Sequence, residues 1–188
     1  MHGTERSSAA GRILRVVQVL LPIAVAGALF WYGRVHTPDY AGALFGERGN
    51  DAQELKARLG SALMALALVQ LVLALWMYGK LPGVRAAPRG VHRAHRIGGL
   101  VAFLLSLPIA YHCITVYGVQ LGDTRVALHS LAGCALYGAF VAKVIVVRNR
   151  RLPGWALPVA GGALLCAIAL LWYTAAFWYL NGLQAPGL

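Results

Sequence analysis

The sequence predicts an all-α integral membrane protein, a helical bundle of five transmembrane helices with its N-terminus in the cytoplasm and its C-terminus outside. Three observations predict it. Only 12% of the 188 residues are charged and 59% are hydrophobic, about half the charged fraction of a soluble domain. The apolar residues fall into five runs, each near the roughly 20 residues that a bilayer span requires. The charges between those runs are segregated by sign, as they are across a cell membrane.

The runs are Ile13–Tyr32, Leu59–Tyr78, Ile97–Val119, Val126–Val147 and Leu157–Leu180. With their flanks the spans cover about 13–34, 57–79, 95–119, 125–147 and 155–180, after a cytoplasmic tail over 1–12, so that 13–188 forms a single transmembrane domain. The first run carries Arg15, Gln18 and Pro22; Arg15 is near enough to the end to snorkel. That run is too long for a signal-peptide core, and Trp31-Tyr32-Gly33 makes a poor cleavage site. Trp31 and Tyr32 are placed as an aromatic interface anchor, and Trp172, Tyr173, Trp178 and Tyr179 as the anchor of the last span. The longest connection, from His36 to about Glu54, holds Pro38, three glycines and an acidic cluster, with a short surface helix expected over Asp51–Arg58. The other connections are short and rich in Pro, Gly and Arg.

Twelve of the 17 basic residues lie on one side of this arrangement: Arg6, Arg12, Arg15, Lys80, Arg85, Arg89, Arg93, Arg96, Lys143, Arg148, Arg150 and Arg151. Five of the six acids, Asp39, Glu47, Asp51, Glu54 and Asp123, lie on the other, with Arg34, Arg48, Lys56, Arg58 and Arg125. The positive-inside rule makes the basic side cytoplasmic and the location the cell membrane, inner or plasma. The net charge of +11 is then explained by topology and contact with anionic lipid, with no nucleic-acid partner. Cys113, Cys134 and Cys166 form neither CxxC nor CxxCH, so they provide no zinc knuckle or covalent c-type haem site; they read as small buried apolar residues.

Ionisable groups within a span are costly and mark function. Here they are His112 in span three, His129 in span four, Lys143, and His95 at an edge. Spans three and four form an antiparallel hairpin whose turn residues, Gly118, Gly122 and Asp123, put its midpoint near 120–121; His112 and His129 average to 120.5. Each residue of a helix rises about 1.5 Å, so the two imidazoles are expected at equal depth in the outer half of the bilayer. Two imidazoles at one depth suit the two axial positions of a haem iron. This requires helices wider apart than a snug pair at 8–10 Å, splayed or diagonal in the bundle. Ser106, Pro108, Ala132, Gly133, Ala135 and Gly138 supply small or kinked positions for a flat macrocycle. Arg125, one turn before His129, is placed to meet a haem propionate. His95, within His92-Arg93-Ala94-His95-Arg96, is open to several roles: ligand of a second haem, partner with Arg93 and Arg96 of a propionate, contact to a quinone headgroup, or interfacial contact to lipid phosphate. Lys143 reads as a snorkelling lysine or as a residue of a redox or quinone site. His36 reads as a solvated loop histidine or the lining of an outer quinone pocket.

Leu128-His129-Ser130-Leu131-Ala132-Gly133 resembles the Leu-His-Ser-Trp-x-Gly signature of cytochrome b561-type proteins, and His95, 34 residues upstream of His129, resembles a second family ligand in placement. The resemblance covers spans three and four and implies haem b ligation by these residues. It departs where the family has Trp and this chain has Leu131, and in spans two and five, which hold no His. One haem on His112 and His129 is therefore expected rather than two. The reading that follows is a b-type cytochrome carrying electrons at the extracytoplasmic face, a subunit of a respiratory or quinone-linked oxidoreductase system rather than a stand-alone enzyme. Its partners would be the lipid bilayer and an extracytoplasmic or membrane redox protein, and Gly-rich faces permit a homodimer. The alternatives are a cofactor-free structural or assembly subunit and a small proton-coupled transporter; the absence of Asp and Glu within the spans weighs against the latter.

Overall fold

A computed structural model describes residues 2–84, 86–149 and 152–188, with side chains from Val16 onward. Arg85, Arg150 and Arg151, and the side chains of Arg6, Arg12 and Arg15, which enter the charge count, lie outside it. The chain is helical: α1 (His2–Val35), α2 (Gly49–Met77), α3 (Arg89–His112), a π-helical segment π1 (Cys113–Tyr117), α4 (Thr124–Arg148), α5 (Ala156–Leu171), a second segment π2 (Trp172–Phe177) and a closing turn α6 (Trp178–Leu180). Five helical stretches are long and apolar enough to cross a membrane: Val16–Val35, Gly49–Met77, Arg89–Tyr117, Thr124–Arg148 and Ala156–Leu180.

Two boundaries differ from expectation. The helix of span one continues upstream to His2, through the segment expected as a tail. The surface helix expected over Asp51–Arg58 is the first part of α2, because no Pro or Gly separates it from the apolar run before Gly60 and the backbone ladder continues. The connections 36–48 and 118–123 share one end of the bundle with most of the acids, called here the acidic end; 78–88 and 149–155 share the other, the basic end.

Each helix packs mainly on one or two others. The order is α1 on α4, α4 on α5, α5 and π2 on α2, and α2 on α3. The backbones of α3 and α4 approach each other only marginally, although the 118–123 connection joins them. α4 is the central helix, and its buried residues Ala132, Cys134, Leu136 and Gly138 are spread over two faces because it has a neighbour on each. Large apolar side chains such as Val19, Ile23, Leu100 and Leu104 point outward, as they must where the surrounding solvent is hydrocarbon.

Glycine decides two close approaches. A Cβ on Gly138 would lie 2.7 Å from the Pro22 carbonyl oxygen, so α1 and α4 touch backbone to backbone. Gly138 thus serves the α1 contact and leaves no room for a macrocycle, and Ala135 faces outward. Gly118 has φ +67° and abuts the Gly33 carbonyl, where a Cβ would come within 2.8 Å. At that point Val119 N–H donates to Gly33 O at 2.8 Å, and Arg34 donates to Val119 O at 3.2 Å. The end of α1 is thereby tied to the α3–α4 connection.

Candidate functional site

Polar groups on α3 and α4 fall in three tiers along the bundle. At the acidic end are His112 and His129. In the middle, Tyr137 and Ser106 are joined hydroxyl to hydroxyl at 3.1 Å beside the stacked rings of Phe103 and Phe140, 4.2 Å apart. Toward the basic end are His95 and Lys143.

The acidic-end tier is built where the helices depart from α geometry. Pro108 interrupts the α3 ladder about one turn before His112, and π1 begins directly after it. π2 on the last span contains Thr174, the residue that touches His129. π-helical turns are rare, they widen the helix by an extra residue, and they recur at functional sites.

Thr174 is fully buried, at 0% exposure. Its hydroxyl donates to Leu170 O at 2.6 Å and lies 3.0 Å from His129 Nδ1. A hydroxyl has one proton. With that proton on Leu170 O, Thr174 accepts from Nδ1–H, and His129 is held as the Nδ1–H tautomer with its lone pair on Nε2. A metal-binding imidazole is prepared in this way, with one nitrogen anchored and the other presented. His112 is 2% exposed, and both of its ring nitrogens are buried with no hydrogen-bond partner. Buried polar atoms are normally satisfied, so two on one ring signal a missing partner. The two imidazoles share a third neighbour: the Lys56 ammonium is within electrostatic reach of both and sits 4.2 Å over the Tyr117 ring.

The other expected site residues are distributed as follows. Arg125 is near His129, and its guanidinium donates to Thr174 O at 2.7 Å and stacks on Trp178 at 3.8 Å. Its placement supports Thr174, and through it His129. His95 and Arg96 are at the opposite end of α3. Seventeen residues separate His95 from His112, about 25 Å along a helix. Arg96 is exposed while His95 is half-buried, so the two diverge. His36 is held, not solvated: it stacks on Tyr32 and its Nε2 is 3.2 Å from Thr115 O. Trp172, expected as an interface anchor, turns inward to donate to Ser61 Oγ at 3.1 Å. Cys134 is buried, Cys113 half-buried and Cys166 exposed, so only part of the cysteine expectation holds.

Thr174, Lys56 and Gln70 were not singled out by the sequence reading. A scan for ionisable groups within spans passes over the amide of Gln70 and the hydroxyl of Thr174, although each is a polar side chain inside an apolar run, and that signal would have found both. Lys56 precedes the apolar run and reads as a loop charge until α2 is seen to start at Gly49.

A family model matches residues 14–187, a stretch that takes in all five spans. The chain belongs to DUF6529, a family of unknown function. No curated protein and no solved structure matches this DUF6529 chain. Among its described residues, no three His, Cys, Asp or Glu side chains converge as a metal cage would require. Axial ligation of a porphyrin iron draws on only two side chains, which is the number the acidic-end tier offers.

Proposed function

We propose that this chain is a membrane-embedded b-type cytochrome, with His112 and His129 as the axial ligands of one haem b at the acidic end of the bundle. The observation that carries the reading is the state of the two imidazoles: Thr174 holds His129 at Nδ1, which makes Nε2 the nitrogen that would ligate, and His112 is buried with both nitrogens unpartnered. The sparse backbone contact between α3 and α4 is in keeping with it, since helices that ligate one iron stand further apart than a snug pair. So is the resemblance of Leu128–Gly133 to the b561-type signature.

The bound group would supply a one-electron couple. The protein's own contribution is ligation and placement. Arg125 holds the Thr174 carbonyl, Thr174 orients His129, and Lys56 sets a positive charge beside the pair, which favours electron-rich species there. By the positive-inside rule this end faces away from the cytoplasm, where it would exchange electrons with an extracytoplasmic or membrane redox partner in a respiratory or quinone-linked system.

The test is a visible spectrum of detergent-purified protein, oxidised and dithionite-reduced, with a pyridine haemochrome assay for haem per chain. A b-type spectrum with about one haem per chain, lost in both His112→Ala and His129→Ala, is expected. A protein that stays colourless when supplied with excess haem would overturn the reading and leave a cofactor-free assembly subunit in its place.

A further inference from the structure

The tier nearest the basic end has its own unsatisfied chemistry. Gln70 on α2 projects onto the two-glycine patch of α3: a Cβ on Gly98 would lie 2.2 Å from Gln70 Nε2, and one on Gly99 3.7 Å from Oε1. Any side chain at 98 would expel this amide, so the glycine is what admits it. Gln70 Oε1 is buried with no donor, and so is His95 Nδ1, on a ring packed against the Gln70 backbone. Lys143 of α4 is within electrostatic reach of His95. The single ion pair among the described residues, Arg58 with Glu54, is elsewhere, and Asp39, Glu47, Asp51, Glu54 and Asp123 all lie at the other end, so Lys143 has no carboxylate partner among the described side chains. Gln70 lies seven residues before the end of α2, His95 six after the start of α3, and Lys143 five before the end of α4. All three therefore sit about 7–11 Å inside the helix ends.

We infer that Gln70 and His95, with Lys143, at the basic end of α3 and α4, form a binding site for the headgroup of a lipid-soluble quinone in its reduced, quinol form. The ligand must satisfy an acceptor (Gln70 Oε1) and an ammonium donor at once, and must arrive through hydrocarbon. A lipid phosphodiester presents acceptors alone; it would meet Lys143 and leave Gln70 Oε1 unsatisfied. A quinol hydroxyl does both, its O–H donating to the amide oxygen and its oxygen accepting from the ammonium, whereas an oxidised quinone, like the phosphodiester, only accepts. The Phe103–Tyr137–Phe140 layer lies between the site and the two histidines. The site deepens the redox reading by assigning a ligand to the opposite end of the same helices, yet its binding can be measured without haem.

The experiment is equilibrium binding of decylubiquinol and of menadiol, kept reduced under anaerobic conditions, to the full chain in detergent, with the oxidised quinones expected to bind more weakly. It compares wild type with Gln70→Leu, His95→Phe, Lys143→Met and Gly98→Ala, using size-exclusion profiles to confirm folding and His112→Ala as a control at the other end. Saturable binding that weakens about tenfold or more in the first three variants and in Gly98→Ala, while His112→Ala binds as wild type does, is expected. Absence of saturable binding to wild type, or binding indifferent to these substitutions, overturns the site. Displacement of the quinol by anionic phosphatidylglycerol, governed by Lys143→Met but not by Gln70→Leu, also overturns it and makes the cluster a lipid contact. A colourless chain that binds quinol would sink the cytochrome reading alone; a haem-loaded chain that does not would sink this inference alone.

Discussion

Replacing Thr174 with valine tests the acidic-end site through a residue that touches no haem. Valine keeps the shape of threonine and removes the hydroxyl. In the wild type that hydroxyl gives its proton to Leu170 O at 2.6 Å and receives one from His129 Nδ1 at 3.0 Å. Without it, a buried N–H loses its acceptor, which costs about 1–3 kcal/mol. The imidazole is then free to move its proton to Nε2, the nitrogen that ligation requires bare. Loss of such a supporting hydrogen bond lowers metal affinity about 10–100-fold, equivalent to about 1.4–2.7 kcal/mol, so the two routes to a magnitude agree. The assay is haem loss from the purified protein to excess apomyoglobin, followed at the Soret band, with haem per chain measured beforehand. Thr174→Val should lose haem faster by about one to two orders of magnitude, and Thr174→Ser, which keeps the hydroxyl, should restore retention. Wild-type haem content and loss rate in the valine variant would refute the claim that Thr174 sets the His129 tautomer, and with it the main support for ligation there.

Other consequences are purely structural. Gly138→Ala places a Cβ against the Pro22 carbonyl and should destabilise the α1–α4 contact by about 1–3 kcal/mol, read as a lower melting temperature in detergent; an unchanged transition would show that α1 shifts freely on α4. Asp123 accepts from Val126 N–H at 2.9 Å as the N-cap of α4, so Asp123→Ala should cost about 1 kcal/mol in the same assay. Trp172→Phe removes the bond to Ser61 and should cost about as much, whereas an interfacial Trp172 would be indifferent to Ser61→Ala. Cysteines placed at Glu47 and at Val84, in a background with the native cysteines replaced, should label from opposite faces of intact cells, Glu47 from outside; the reverse pattern would invert the topology.

The fold was legible because lipid imposes simple demands on a sequence. Each span must be apolar over its length and satisfy its own backbone, so five apolar runs translate directly into five helices. The placement of His112 and His129 was legible in part, since residue number measures depth on a helix. Residue number does not say which helices are neighbours. Lipid is as apolar as leucine, and so the helices carry no polar stripe to mark their inner faces. Spans three and four are consecutive, yet α4 packs on α1 and α5 while α3 packs on α2. The reason lies in local fit, with Gly138 against Pro22 and Gly60 close to Ala176, and no periodicity announces it. The same packing decided the roles of single polar groups: Arg125 was drawn to the Thr174 carbonyl, Trp172 to Ser61 and Gln70 to a glycine patch. The sequence by itself determined which runs form helices long and apolar enough to cross a membrane and how far along each helix every polar residue stands. Only the tertiary structure decided which of them meet, because in hydrocarbon a polar side chain must take whatever partner the neighbouring helix brings within reach.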